Sequence, residues 1–134
     1  MKKLFVALSV GSLVIFAGIL LFSRSLSSNT SVEGRWVGTY EVPVEFGGGD
    51  IEVFLWFTDG SHFMFRNGCN TGGAQYNLKD SEVTFDFTEG SSTAVGCAIP
   101  APSLPESISV VWGSPSFIEI PSASGPIRLE REIE

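Results

Sequence analysis

Hydrophobic and polar positions alternate with a period of two along most of the chain after residue 33. The alternation is cleanest in Glu82–Phe87, where Val83, Phe85 and Phe87 fall on one face and Glu82, Thr84 and Asp86 on the other. That is the pattern of a half-buried antiparallel strand. In "DIEVFLWFT" Ile51, Val53, Leu55 and Phe57 share one face, and Glu52, Phe54 and Trp56 the other. Apolar residues on both faces predict a central strand or one wrapped into a barrel wall. "RWVGTYEV", Arg35 to Val42, is aromatic and β-branched and stops at Pro43, as a strand does. Asp59-Gly60 is a hairpin turn signal leading into His62–Arg66. Ala74–Leu78, Ser116–Ile120 and Pro126–Ile133 complete the set. In the last of these Leu129, Arg131 and Ile133 share a face, which leaves its register open.

"FGGGD" reads as a loop, since three glycines hold no regular element. "PAPSLPESISVVW" predicts one short helix, with Ser103 as cap, Pro105 in the first turn and Glu106 as capping-box partner. The expected fold is therefore mainly β: a small, antiparallel, partly closed barrel of about seven strands with one short helix. Its core is expected to be aromatic, drawn from the eleven phenylalanines.

The amino-terminal segment has a different pattern. Lys2 and Lys3 precede Leu4–Phe22, a run without charge. As a helix it would reach roughly 29 Å at about 1.5 Å per residue, close to the hydrocarbon thickness of a bilayer. Residues 1–25 are expected to form an uncleaved membrane anchor or a removed signal peptide, with Ser23-Arg24-Ser25 as the cleavage candidate. Lys2 and Lys3 outweigh Arg24, so the amino terminus is expected in the cytoplasm and everything after Phe22 outside it, membrane-attached or secreted. Residues 26–32 are Ser-rich and read as a tether, and residues 33–134 as the β domain. Asn29-Thr30-Ser31 is a glycosylation sequon, meaningful only in a eukaryotic secretory host.

Charge narrows the partners. All fifteen acidic residues follow the expected anchor, residues 1–25, against five basic ones, Arg35, Arg66, Lys79, Arg128 and Arg131. A domain near −10 lacks the basic footprint of a nucleic-acid binder and is repelled by anionic lipid. It suits solubility first and a basic partner second.

Cys69 and Cys97 are the two cysteines. Outside the cytosol an even count favours a disulfide between them. Two other roles are open. His62, the one histidine, is the candidate base for a cysteine nucleophile. Cys69, Cys97 and His62 together form a three-ligand set for copper or zinc, without CxxC or HxxxH spacing. Asp86 and Glu89 are a candidate carboxylate pair of the glycosidase kind. "FGGGD" lacks the Lys-Ser/Thr and following helix of a phosphate loop. The expectation is a non-enzymatic domain without cofactor or metal. Trp36 and Trp56 are expected in the barrel wall or core, and Trp112, just before Gly113, on a possible contact surface.

The order of these features resembles the META domain family, which includes the HslJ-like heat-shock proteins of bacterial envelopes. Gly68, Cys69 and Asn70 match the family's Gly-Cys-Asn, followed by Gly73 and Tyr76. Thr93 and Cys97 match its Thr with Cys four residues on, and Glu106 matches the Glu that opens its helix. The resemblance covers roughly residues 33–131. It departs at the helix, which is longer and leucine-rich in the family, and in lacking the lipoprotein cysteine common among bacterial members. It implies a small barrel-like envelope domain with no established enzymatic activity, of a kind some of whose members are linked to stress or antibiotic tolerance and to secretion or motility.

Three functions are compared. The first is an interaction or stress-response module with an envelope protein as partner. The second is a lipocalin-like binder of small ligands, suggested by the G-x-W of Gly34-Arg35-Trp36. The third is a proteinaceous inhibitor of an envelope hydrolase such as lysozyme, suggested by the acidic surface.

Overall fold

The computed structural model describes residues 31–93 and 96–133; the expected anchor or signal peptide, and residues 26–30 of the expected tether, lie outside them. Eight strands follow one another: β1 (Gly34–Glu41), β2 (Asp50–Phe57), β3 (His62–Arg66), β4 (Thr71–Lys79), β5 (Glu82–Ser92), β6 (Ser107–Val111), β7 (Phe117–Ile120) and β8 (Ile127–Arg131). Each is hydrogen-bonded to the next, and β8 returns antiparallel to β1, so the sheet closes into a barrel. Eight strands and full closure replace the seven strands and partial closure expected from the sequence.

The extra strand stands where a helix was expected. Residues 101–106 form no helix around Glu106, and β6 begins directly after it. Ile108 and Val110 are buried while Ser107, Ser109 and Val111 are exposed. That period of two suits a strand whose one face is covered. Pro100, Pro102 and Pro105 hold the residues before them extended and remove backbone donors, which prevents a helix from starting upstream. Among the described residues the helical turn is the 3-10 segment Val44–Phe46, and left-handed Gly47 ends it.

Inward positions alternate as the sequence predicts. Val53, Leu55 and Phe57 of β2, Phe63 and Phe65 of β3, and Val83 and Phe85 of β5 are buried. The aromatic core is confined to one side. Phe57 lies edge-on to Tyr76 with ring centroids 4.8 Å apart, and Phe63 packs on Phe85 at 4.6 Å. Ile108, Val110, Ile118, Ile120, Ile127 and Leu129 fill the side formed by β6, β7 and β8. Phe46 and Phe87 are half exposed, so the phenylalanines supply only part of the core. Trp36 is fully buried. Trp56, expected in the wall or core, points outward and is 44% exposed, because its register partners Arg35 and Met64 share the outer face.

One end of the barrel is sealed by the two ends of the domain. Trp36 Nε1 donates to the Val32 carbonyl at 2.8 Å, and Val32 is itself buried. The Arg131 guanidinium lies 4.7 Å over the Trp36 ring and donates to the Ser31 carbonyl. Burial pulls the Arg131 side chain below its usual pKa. The β1–β8 seam needs Gly38, since a Cβ there would come within 2.6 Å of Leu129 Cδ2 and closer still to the Arg128 carbonyl. The opposite end is the mouth.

Candidate functional site

Four pieces of chain build the mouth: the β3–β4 turn at residues 67–70, the outer halves of β4 and β5, and a strap at residues 97–105. Asn67 shapes the turn. Its Oδ1 accepts from the backbone N–H groups of Cys69 (3.0 Å) and Asn70 (2.7 Å). This is an Asx-type turn, and Gly68 within it has φ +87°. Asn67 Nδ2 donates to the Pro102 carbonyl at 2.9 Å. Tyr40, buried in β1, donates its hydroxyl to the Pro100 carbonyl at 2.7 Å. The Cys69–Cys97 disulfide adds a covalent tie, with Cα atoms 5.9 Å apart. Turn, barrel wall and strap are thus fastened at three points.

The other motif residues serve the same joint. Thr93 Oγ1 accepts from the Thr71 N–H and donates to Asn70 Oδ1, both at 3.0 Å. Asn70 Nδ2 donates to Cys97 Sγ at 3.3 Å. Gly73 leaves room for a close strand crossing, since a Cβ there would sit 2.6 Å from the Phe63 carbonyl. Tyr76 is buried farther down β4, and burial holds its phenol above the usual pKa, with Glu33 and Asp59 adding to the effect. Glu106 is exposed, and its backbone carbonyl accepts from Phe85 N–H at 2.9 Å. The sequence reading missed Asn67 and Tyr40. An Asn two residues before Cys69, in a segment already read as a turn, was the available signal for the first.

Between the outer half of β5 and the strap lies a cleft of about 390 Å³. Phe63 and Phe65 form its floor, Phe87 and Leu104 its apolar rim, and Ser91, Ser92, Thr93 and Ser103 its polar rim. No charged side chain is among the described lining residues. The cleft exists because the barrel wall gapes. β6 pairs with β5 only over Glu82–Thr84. Above Phe85 the far part of β5 has β4 on one side and, among the described residues, no ladder on the other. The β4 pairing itself shifts, from Gly73↔Ser91 to Gln75↔Asp86, so that Phe87–Gly90 stand opposite Ala74 alone. A bulge of this kind re-aims side chains, and here it leaves Phe87 49% exposed beside Phe63, with ring centroids 6.0 Å apart.

No family model, curated protein or solved structure matches the chain.

The remaining candidates fall elsewhere. His62 begins β3 at the sealed end and is exposed, with Nδ1 3.1 Å from Asp59 Oδ1. The disulfide lies beyond the other end of β3, a strand's length away on the order of 15 Å, so His62 is no base or co-ligand for the cysteines. Asp86 and Glu89 border a shallow hollow with Gln75 and Thr88. The Asp86 carboxylate accepts from Thr88 O–H and N–H, which hold its pKa below the usual carboxylate value. A glycosidase acid needs the opposite shift. Trp112 is partly buried and packs against the core beside the β6–β7 turn.

Proposed function

We propose that this domain is a non-catalytic interaction module of META/HslJ type, displayed outside the cytoplasm on a membrane anchor or secreted. The observation that carries this reading is the mouth cleft. Its floor is aromatic, the rim residues described are uncharged, and the side chains of Asn67, Asn70 and Thr93 beside it are engaged in holding turn, strand and strap together. A cleft of this size, lined by apolar residues and a few fixed polar groups, is built to bind. Its described lining pairs no nucleophile with a base.

The lipocalin-like reading has Gly34-Arg35-Trp36 and the eight-stranded closed wall in its favour. The barrel interior is occupied by Trp36, Tyr40, Phe57, Leu55 and their neighbours, so the space for a ligand is the mouth and not a calyx. Inhibition of a basic envelope hydrolase is one form of the module reading, favoured by the acidic surface. The test is in-cell crosslinking of the full chain at Ser103, on the cleft rim, followed by purification from membranes. A defined protein adduct is expected. Its absence, with the chain folded and exported, refutes the reading.

A further inference from the structure

We propose that the cleft is a binding site for a neutral aromatic molecule, one or two rings in size, whose hydroxyl or carbonyl group meets the serine rim. The proposal goes beyond the module reading, which concerns a protein partner, and gives the mouth a ligand of its own.

The apolar part of the lining selects a ring. Phe63 and Phe87 stand at 83° to each other with centroids 6.0 Å apart, so they form a corner in the cleft that both line. An aromatic ring set in that corner stacks on one and meets the other edge-on, the two arrangements that aromatic pairs favour. Phe87 is 49% exposed, and covering it removes apolar surface from water. Gly72, Gly73 and Gly90 line the same space, so part of the wall is bare backbone that a flat molecule can approach closely. Size agrees. A dry cavity of about 150 Å³ holds one benzene, and the cleft, at about 390 Å³, has room for two rings.

The polar part selects the charge. With no charged side chain among the described lining residues, a carboxylate or phosphate on the ligand would meet no cation. It would also enter against the field of fifteen acids and five bases in residues 26–134. An ammonium would find no carboxylate to replace its water, since Asp86 and Glu89 line a different hollow with Gln75 and Thr88. A neutral polar group has partners. Asn67, Asn70 and Thr93 are engaged in the joint, whereas among the described residues no hydrogen bond engages the exposed hydroxyls of Ser91, Ser92 and Ser103. A serine hydroxyl both donates and accepts, so it suits a ligand hydroxyl or carbonyl. These hydroxyls stand on the rim and the rings reach down to the floor, which orients the ligand with its ring inward and its oxygen outward.

The test is equilibrium dialysis of the full chain, held in phosphatidylcholine nanodiscs with empty discs as blank, against naphthol, naphthalene sulfonate, naphthylmethylammonium and methyl glucoside. Saturable binding of naphthol at neutral pH is expected, about tenfold or more tighter than any of the other three. Phe87→Ser and Leu104→Ser should each weaken it about tenfold. Ser91→Ala, Ser92→Ala and Ser103→Ala combined should weaken it about threefold. Trp56→Ala, on the outer wall, should leave it unchanged. Circular dichroism and thermal melting establish that each variant is folded, and the charge series on the wild-type chain decides where a variant is not. No saturable binding of naphthol above the blank overturns the proposal. So does a charged analogue or the glucoside bound as tightly as naphthol, or a folded Phe87→Ser or triple-serine variant that binds naphthol as tightly as wild type. Crosslinking at Ser103 in cells keeps the two readings apart. A protein adduct without naphthol binding leaves the module standing and removes the ligand, whereas naphthol binding without an adduct does the reverse.

Discussion

Replacing both cysteines with alanine, Cys69→Ala with Cys97→Ala, opens a loop spanning 28 positions in sequence. In the chain-entropy account, closing such a loop removes about 12 cal/mol/K from the unfolded ensemble, or about 3–4 kcal/mol at 25 °C. The folded state loses much less. The strap keeps the Tyr40–Pro100 and Asn67–Pro102 hydrogen bonds, and Ile99 and Leu104 still pack against the core. The effect is therefore global destabilisation with the strap still seated. Measured against a typical total of about 5–15 kcal/mol, it is large. Equilibrium urea unfolding followed by tryptophan fluorescence reads it directly. With an m-value of about 1–1.5 kcal/mol/M the midpoint should fall by roughly 2–4 M, and the melting temperature by roughly 12–32 °C. Wild type reduced with dithiothreitol should coincide with the double variant. A loss below about 1 kcal/mol would refute the reasoning, because it would mean that the unfolded chain keeps these segments together without the bridge.

Three further outcomes follow from the packing. Gly38→Ala should destabilise the domain by about 1–3 kcal/mol in urea unfolding, through the clash with Leu129 and the Arg128 carbonyl at the β1–β8 seam; an unchanged midpoint would mean the seam is loose. Arg131→Met should lose the contact with the Trp36 ring and the hydrogen bond to Ser31, partly offset by relief of a buried guanidinium whose Nε has no partner. A net loss of about 1–2 kcal/mol is expected by the same assay, and a gain in stability would contradict the cap. Tyr76 has a folded pKa raised, first by burial, above the ordinary value. A raised folded pKa contributes stability that is fully present below the unfolded pKa, about 10, and is lost as pH rises through the folded value. Stability should drop above pH ~10 in wild type and less steeply in Tyr76→Phe, as read from urea midpoints across pH.

Legibility tracked how local each signal was. The alternation in β2 and β5 and the Asp59-Gly60 turn were readable because neighbouring residues decide them: Gly60 takes φ +74°, and Asp59 accepts from the His62 N–H across the turn. The pairing of Cys69 with Cys97 was readable from there being just these two cysteines. The segment around Glu106 misled because Ser103, Pro105 and Glu106 imitate a helix start. A covered position between β5 and β7 outweighed that local preference and made Ser107–Val111 a strand. Trp56 misled because a thin barrel needs only one apolar face per strand. The full closure of the wall was not readable, since it depends on Arg131 and Ser31, a hundred residues apart, meeting over Trp36. The cleft is the product of a shortened β5–β6 ladder, and ladder length leaves little trace in composition.

The meeting of Ser31 with Arg131 at the sealed end has a mechanical consequence. Strands β1 and β8 are antiparallel, and both carry their free ends there. A pull applied between residues 31 and 131 therefore peels the two strands apart like a zip, loading one rung at a time instead of shearing the whole ladder together. Among the described residues Trp36↔Arg131 and Val37↔Glu130 stand in register along that seam, with Glu132 N–H donating to the Arg35 carbonyl at its outer end. Stretched by its ends in a single-molecule trap, the domain should yield at low force, whereas a pull between positions 31 and 97 should meet firmer resistance.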